Sequence, residues 1–399
     1  MLLDEALQER VEQLDLTPEQ ARVLRKVREL GRTRIGPAAR RVDEEADYPY
    51  EAVEALVEAG LTALAVPAAY GGAGAGYGGD VVLLPLVLME IASWCSSASQ
   101  VLALHNSAVQ YIHALGTEEQ KRYFFGEVTE GRLFGSFGSE DHARVPRVRS
   151  SLTRVEGGYL LNGTKKFATG SPAAKWAFWH SILAEEAHLD QPKLLMPVVE
   201  LAADGVTIHG DWDGIGQRGT GSGTVTAQNV FVPDFQVIGY PGAFTDLQTF
   251  FGAQFNVHFA AQFTGIAFGA YREALHYVRE KLARGGTGAD PVLALRLGEL
   301  SAKLTAARQL VLHAARVLEA SRTDEVLVTA AAVAASEAKI VTTDIALQVT
   351  TDIFQVMGAR SATKAHGFDR FYRNARTLTL HDPVDQHRIN VGMLQLKQK

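Results

Sequence analysis

The hydrophobic period of this chain changes twice, and that limits its fold more than any single motif. In YEAVEALVEAGL (50–61), Tyr50, Val53, Val57 and Leu61 recur at intervals of three and four, which is one face of a helix. Helical patterning resumes through residues 81–114. Gly116-Thr117-Glu118-Glu119-Gln120 then reads as a helix stop followed by a Thr N-cap. Near Gly131 the period switches to two. SLTRVEGGYLLNGTKKFATGS (151–171) alternates about a Gly157-Gly158 turn, and VTAQNVFVPDFQVIGY (225–240) adds a second strand signal. From about 241 the helical period returns in long Ala/Leu-rich stretches whose small residues favour close helix packing. Helices, then strands, then helices is an α+β order. It excludes a doubly wound sheet, which needs alternation. The expected domains are residues 1–130 (helical), 131–240 (β) and 241–399 (helical bundle).

Charge and cysteine content remove several functions. Acidic residues exceed basic ones, 45 to 39, for a net charge of −6. That balance gives no electrostatic footprint for nucleic acid or for an anionic membrane. A single cysteine, Cys95, permits neither an intrachain disulfide nor a Cys-based metal cluster, and fits a cytoplasmic setting. The N-terminal stretch lacks the basic start and apolar run of a signal peptide. The apolar runs at 81–94 and 251–270 carry Glu90, Gln254, Asn256, His258 and Gln262, so they read as buried helices rather than membrane spans.

Four segments hold chemistry, each with a plain alternative. AAYGGAGAGYGG (68–79) can cradle phosphate through its N–H groups, but no strand–GxGxxG–helix unit or GK[ST] follows, so a structural loop is favoured. In LNGTKKFATGS (161–171), alternation places Leu161, Gly163, Lys165, Phe167 and Thr169 on one face, where an aromatic and a hydroxyl suit a planar ring; an ordinary strand is the alternative. GSFGSEDHARVP (135–146) offers backbone N–H groups and hydroxyls beside Glu140, Asp141 and His142, or is a simple turn. Arg370, Arg373 and Arg376 either grip a phosphate or form a basic helix end.

LTLHDPVDQHRINVG (378–392) packs His381, Asp382, Asp385 and His387 into seven residues. Six residues apart, His381 and His387 face differently on a helix, so no metal site is expected. Pro383 suits a first helical turn with Asp382 as N-cap. The functional alternative makes His381 a general acid or base.

Taken together, VPAAYGG, LNGTKKFATG, NVFVPDFQVI and QVMGARSATKAHGFDRFYRNART resemble motifs of the acyl-CoA dehydrogenase superfamily, in order and over nearly the whole chain. The resemblance implies a helical domain, a β-barrel-like domain and a four-helix C-terminal bundle, assembled as a homotetramer. It places Phe167, Thr169 and Ser139 by a flavin. It also places Gln355, Gly358 and Ala359 at a neighbouring subunit's cofactor, and Gln386 as a flavin contact. Where many dehydrogenases carry the Tyr-Glu-Gly-Thr base, this chain has His381-Asp382-Pro383-Val384, and the Arg-x-x-Phe-Gly grip on the FAD diphosphate is missing. These departures resemble the superfamily's monooxygenase branch, which includes dibenzothiophene monooxygenase. That branch takes reduced FMN from a separate flavin reductase, forms a C4a-hydroperoxyflavin and oxygenates a small apolar, often organosulfur, substrate. On this reading His381 manages protons, Thr169 stands near the flavin, His105 lies across the substrate pocket, and Arg370 and Arg373 hold the FMN phosphate. The main alternative is an FAD-dependent acyl-CoA dehydrogenase with Asp382 as α-proton base. A non-catalytic flavin- or acyl-binding scaffold is the third.

Overall fold

The computed structural model describes residues 10–12, 14–141, 148–285 and 290–397. Helix α1 (Pro18–Leu30) starts where Thr17 and Gln20 cap each other's backbone N–H groups. α2 (Gly36–Glu45), α3 (Tyr50–Glu58), α4 (Leu83–Trp94) and α5 (Ser96–Leu115) follow. α6 (Glu118–Thr129) opens on a capping box of Thr117 with Gln120, as its sequence requires. The glycine-rich segment is a packed loop. Gln110 of α5 accepts from the Tyr77 N–H at 2.8 Å, and a Cβ on Gly76 would meet that Gln110 oxygen at 2.1 Å. Asp80 ends the loop by accepting from the Val82 and Leu83 N–H groups, which starts α4.

The middle segment is one curled sheet. Its strands are β1 (Leu133–Phe137), β2 (Ser151–Val155), β3 (Gly158–Lys165), β4 (Ala174–Trp179), β5 (Ser181–Leu183), β6 (Leu194–Glu200), β7 (Val206–Ile208), β8 (Val225–Pro233) and β9 (Val237–Ile238). The order is β1-β4-β6-β5-β2-β3-β8-β7, with β9 on β6. β2 and β3 form the antiparallel pair expected around Gly157, which takes the φ of +74° that a tight turn needs. Phe137, Leu152, Leu161, Trp179, Val225 and Val232 fill the sheet's interior.

The third segment is a bundle of α7 (Gln248–Gly285), α8 (Pro291–Ala320) and α9 (Val328–Met357), closed by α10 (Asp369–Leu378) and α11 (Val384–Lys397). α7 is long enough to serve both the bundle and the N-terminal helices. A Cβ on its Gly265 would meet the Met89 carbonyl at 2.2 Å, and one on Gly269 the Ser93 carbonyl at 2.3 Å. Glycine at these positions lets α7 close on α4, and the buried aliphatic groups between them supply the association energy. Glu325–Met357 has the length and apolarity of a membrane-crossing helix. Here it packs in the bundle and carries a buried Lys339 paired to Asp382.

Candidate active site

β3 runs into the first half of the site. Its alternation holds for Leu161 and Lys165, both fully buried. It does not continue as expected. Phe167 turns into the left-handed region, with φ +54°, and is 61% exposed, while Thr169 is buried. Phe167 and Thr169 therefore do not share a strand face; the backbone reverses between them. A bulky residue in that conformation is strained by roughly 1–3 kcal/mol, and such outliers gather at ligand sites. Phe167 leans edge-on to Trp212, with centroids 6.1 Å apart, and forms an exposed aromatic shelf. The exposed Ser139 stands beside it, its carbonyl accepting from the Lys166 N–H at 2.9 Å.

A chain of buried hydroxyls runs inward from Thr169. Thr220 Oγ1 donates to the Gln217 carbonyl at 2.8 Å. Its one proton is then spent, so Ser222 donates to Thr220 at 2.6 Å, and Thr169 donates to Ser222 at 2.7 Å. Thr169 is left with lone pairs that accept.

Lys165 anchors this corner. Its ammonium is sealed in protein and bonds Glu140 Oε1 and the His180 carbonyl, each at 2.6 Å. Glu140 also accepts from the Ser150 hydroxyl and from the Arg149 and Ser150 N–H groups. Burial pushes the Lys165 ammonium down to about 8, against the pull of Glu140. Desolvation alone would raise the Glu140 carboxyl, but the Lys165 charge and these hydrogen bonds hold it below its usual range. His142, also expected here, lies outside the described residues.

The second half lies at the join of α10 and α11. His381 is open to solvent yet flanked by α7, with Phe259 at 4.7 Å and Phe255 at 5.5 Å between ring centroids. The two phenyl rings shelter part of the imidazole and leave the rest accessible. Desolvation and then the Lys339 charge lower the His381 pKa, to about 4, which favours the neutral ring.

Asp382 does not cap α11 as expected. Its carboxylate turns to the bundle, taking Lys339 Nζ at 2.5 Å and His387 Nε2 at 2.7 Å. Lys339, 2% exposed, also donates to Asn256 at 3.1 Å, and His387 Nδ1 contacts the Ser336 hydroxyl at 3.2 Å. The His387 bond, and after it the Lys339 bond and charge, hold the Asp382 carboxyl well below the usual range despite desolvation. A carboxylate so stabilised as an anion is a weak base.

The relatives place this geometry in a family. The profiles described as acyl-CoA dehydrogenase, N-terminal domain, and acyl-CoA dehydrogenase, C-terminal domain, match residues 17–132 and 257–386. A dibenzothiophene monooxygenase of Rhodococcus qingshengii is 31% identical over 359 residues, 85% of each chain. The chain belongs to the acyl-CoA dehydrogenase family. Within the family it sides with the flavin-dependent monooxygenases. A probable FMNH2-dependent monooxygenase, SfnC of Pseudomonas putida, is 30% identical over 90% of each chain. The structure of FMN-bound TdsC from Paenibacillus sp. A11-2 superposes with a TM-score of 0.86 at 29% identity, covering 95% of this chain and 98% of that one.

Several other residues expected from the family pattern are already engaged within the protein. His105 is sealed between α5 and β1, with Nε2 donating to the Thr62 carbonyl at 2.8 Å and Nδ1 accepting from the Phe134 N–H at 3.0 Å. With both nitrogens occupied and burial lowering its pKa to about 4, His105 is a neutral structural tie and not the catalytic group expected. Nor do Arg370 and Arg373 present free guanidinium groups to a phosphate. Arg370 is buried on Glu273 and the Gly367 carbonyl, and Arg373 is held by Asp43 and Asp369. Gln386 is exposed and bonds Asn390 at 2.9 Å. Gln355, Gly358 and Ala359 lie at the far end of α9. At ~1.5 Å per residue, the 18 residues from Lys339 to Met357 span about 27 Å. Sequence reading missed Lys339 and Ser222. Lys339 left one trace, a lone lysine in the Ala-rich AAAVAASEAKIVTT.

The residues fit a flavin. The exposed Phe167 shelf suits a planar ring, and Thr169 presents an acceptor to an N–H, the group that the central ring of a reduced isoalloxazine carries and the oxidised ring lacks.

Proposed function

We propose that this protein is a reduced-flavin-dependent monooxygenase. It transfers one atom of O2 to a small, largely apolar substrate, with FMN delivered in reduced form by a separate flavin reductase. The overall balance is substrate plus O2 plus FMNH2, giving oxygenated substrate, water and oxidised FMN. One observation carries the reading. Where a dehydrogenase needs a carboxylate base, this chain presents an open, neutral His381, while the adjacent Asp382 is committed to Lys339 and His387.

Bound FMNH2 supplies the two electrons that activate O2. Phe167 would give the cofactor a face to rest on, and the Thr169 hydroxyl, its proton committed to Ser222, would offer it an acceptor. The neutral imidazole of His381 has one N–H and one lone pair, so it can hold a proton and return it as water leaves. Phe255 and Phe259 cover part of that imidazole with hydrocarbon, and its exposed edge remains available to a bound substrate and cofactor. Lys339, fixed by Asp382, keeps a positive charge near His381, so a proton taken up by the ring is held only transiently and is given back readily.

Asp382→Asn tests the reading against dehydrogenation. Oxygenation should stay within about tenfold of wild type, because loss of a true catalytic base costs ~10²–10⁴-fold. The assay is product formation with photoreduced FMN and O2. A collapse of that size, together with reduction of bound FAD by an acyl-CoA, would transfer the assignment to Asp382 and the dehydrogenase.

The distance of Gln355, Gly358 and Ala359 from His381 supports an assembly in which they serve a neighbouring protomer. We expect a homotetramer in sedimentation analysis; a monomer would leave those residues without a flavin.

A further inference from the structure

The seam between α5 and α7 carries a set of polar atoms that the oxygenase reading does not use. Gln100 Oε1 on α5, and His258 Nδ1, His258 Nε2 and Gln262 Oε1 on α7, have no hydrogen-bond partner among the described residues. Their side chains are nine-tenths buried or more, at 4%, 2% and 1% exposure. Buried polar groups nearly always find partners, so unpartnered side chains on two helices that pack along each other point to a ligand. His258 and Gln262, four apart, lie on one helical stripe.

Anchors at both ends locate the seam. At one end Gln254 of α7 donates to Gln110 of α5 at 2.8 Å. At the other, Gly269 stands on the Ser93 carbonyl and Arg272 donates to Ser93, just before α5 begins. The helices therefore run antiparallel, and Gln100, His258 and Gln262 fall between the anchors. Both landmarks of the active site adjoin the walls. His381 packs on Phe255 and Phe259 of α7. Val101, the neighbour of Gln100 on α5, faces Gly170 beside Thr169, 3.8 Å from where a Cβ on Gly170 would stand.

We propose that Gln100, His258 and Gln262 determine specificity by binding a neutral N–H or O–H group on a substrate whose remainder is an apolar ring system. This rests on the oxygenase reading and names its substrate class. Burial lowers the His258 pKa to about 3, so the ring is neutral, with one N–H and one acceptor. With two amide oxygens the set is uncharged and rich in acceptors. It suits a donor, and it repels an anionic sulfinate or sulfonate.

The test is calorimetric titration of the protein, saturated with oxidised FMN, with 2-naphthol and with 2-methylnaphthalene. The methyl compound is the more apolar, so transfer from water alone favours it. We expect 2-naphthol to bind about tenfold tighter, the worth of one good hydrogen bond. Gln262→Met should erase that preference, and His258→Gln, which keeps a donor and an acceptor, should preserve it. Equal or weaker binding of 2-naphthol by the wild type, no binding of either probe, or an unchanged preference in Gln262→Met overturns the assignment. The wild-type ratio decides alone if the Gln262 variant does not fold. Binding needs no turnover, so a 2-naphthol preference without oxygenation refutes the oxygenase reading and leaves this assignment standing.

Discussion

Replacing His381 with alanine should cut the rate of product oxygenation by about 10²-fold or more, with hydrogen peroxide release rising as flavin oxidation loses its coupling. The expectation follows from three facts. The imidazole is exposed, it packs on Phe255 and Phe259, and the Lys339 ammonium that shares the Phe259 ring, 5.1 Å from its centroid, is committed to Asp382. Product chromatography with a parallel peroxide assay measures both quantities, and unchanged coupling in the variant removes His381 from proton transfer. The pH dependence has a definite sign. The folded pKa of His381 lies below its ordinary value, so the neutral ring persists through mild acid, and product formation should fall only as pH approaches about 4. Between the ordinary and the folded pKa the unfolded chain binds more protons at this residue, so its contribution to stability also declines on acidification.

Lys165→Met should destabilise the fold by about 3–5 kcal/mol, the usual result of removing one member of a buried ion pair. Glu140 would remain 3% exposed with its Ser150 and Arg149 bonds but without a countercharge. Urea denaturation at neutral pH measures the loss. The pH dependence gives an internal control. In wild type the Glu140 pKa is depressed, so its contribution is present above its ordinary pKa and lost as pH falls through the lower folded value. In the variant the unpaired carboxyl gains by taking a proton, so the gap between the proteins should narrow as pH drops through 4.5, the ordinary value for Glu. A loss under 1 kcal/mol, or a gap independent of pH, would show that the pair is solvated in solution. The same pair holds Ser150 against the segment after Ser139, so FMN affinity should fall with stability.

Parts of the site were legible before the fold was known. Thr117 as a cap, the β2–β3 turn at Gly157 and the glycine loop as packing material all follow from local rules about dihedrals and orphan N–H groups. His381 stood out in the sequence by its departure from the dehydrogenase pattern. The errors share one cause. Alternation placed Phe167 and Thr169 on one face because it assumes an unbroken strand, and the left-handed turn at Phe167 breaks it. A cap at Asp382 was the best local use of a carboxylate before proline, but Lys339, 43 residues away, offered a buried ammonium. Arg370 and Arg373 looked available because Glu273 and Asp43, their partners, lie 97 and 330 residues away in the chain.

The sequence alone determined the order of helices and strands, their caps and turns, and the family, because periodicity and turn chemistry act over a few residues and the family motifs are contiguous. The tertiary structure decided which charges are spent and which are free. It paired Lys339 with Asp382 and Lys165 with Glu140, tied both nitrogens of His105, left His381 exposed, and left polar atoms of Gln100, His258 and Gln262 buried without a partner among the described residues. Such pairings depend on which side chains meet after the chain closes, and on how far burial raises the cost of an unpaired charge.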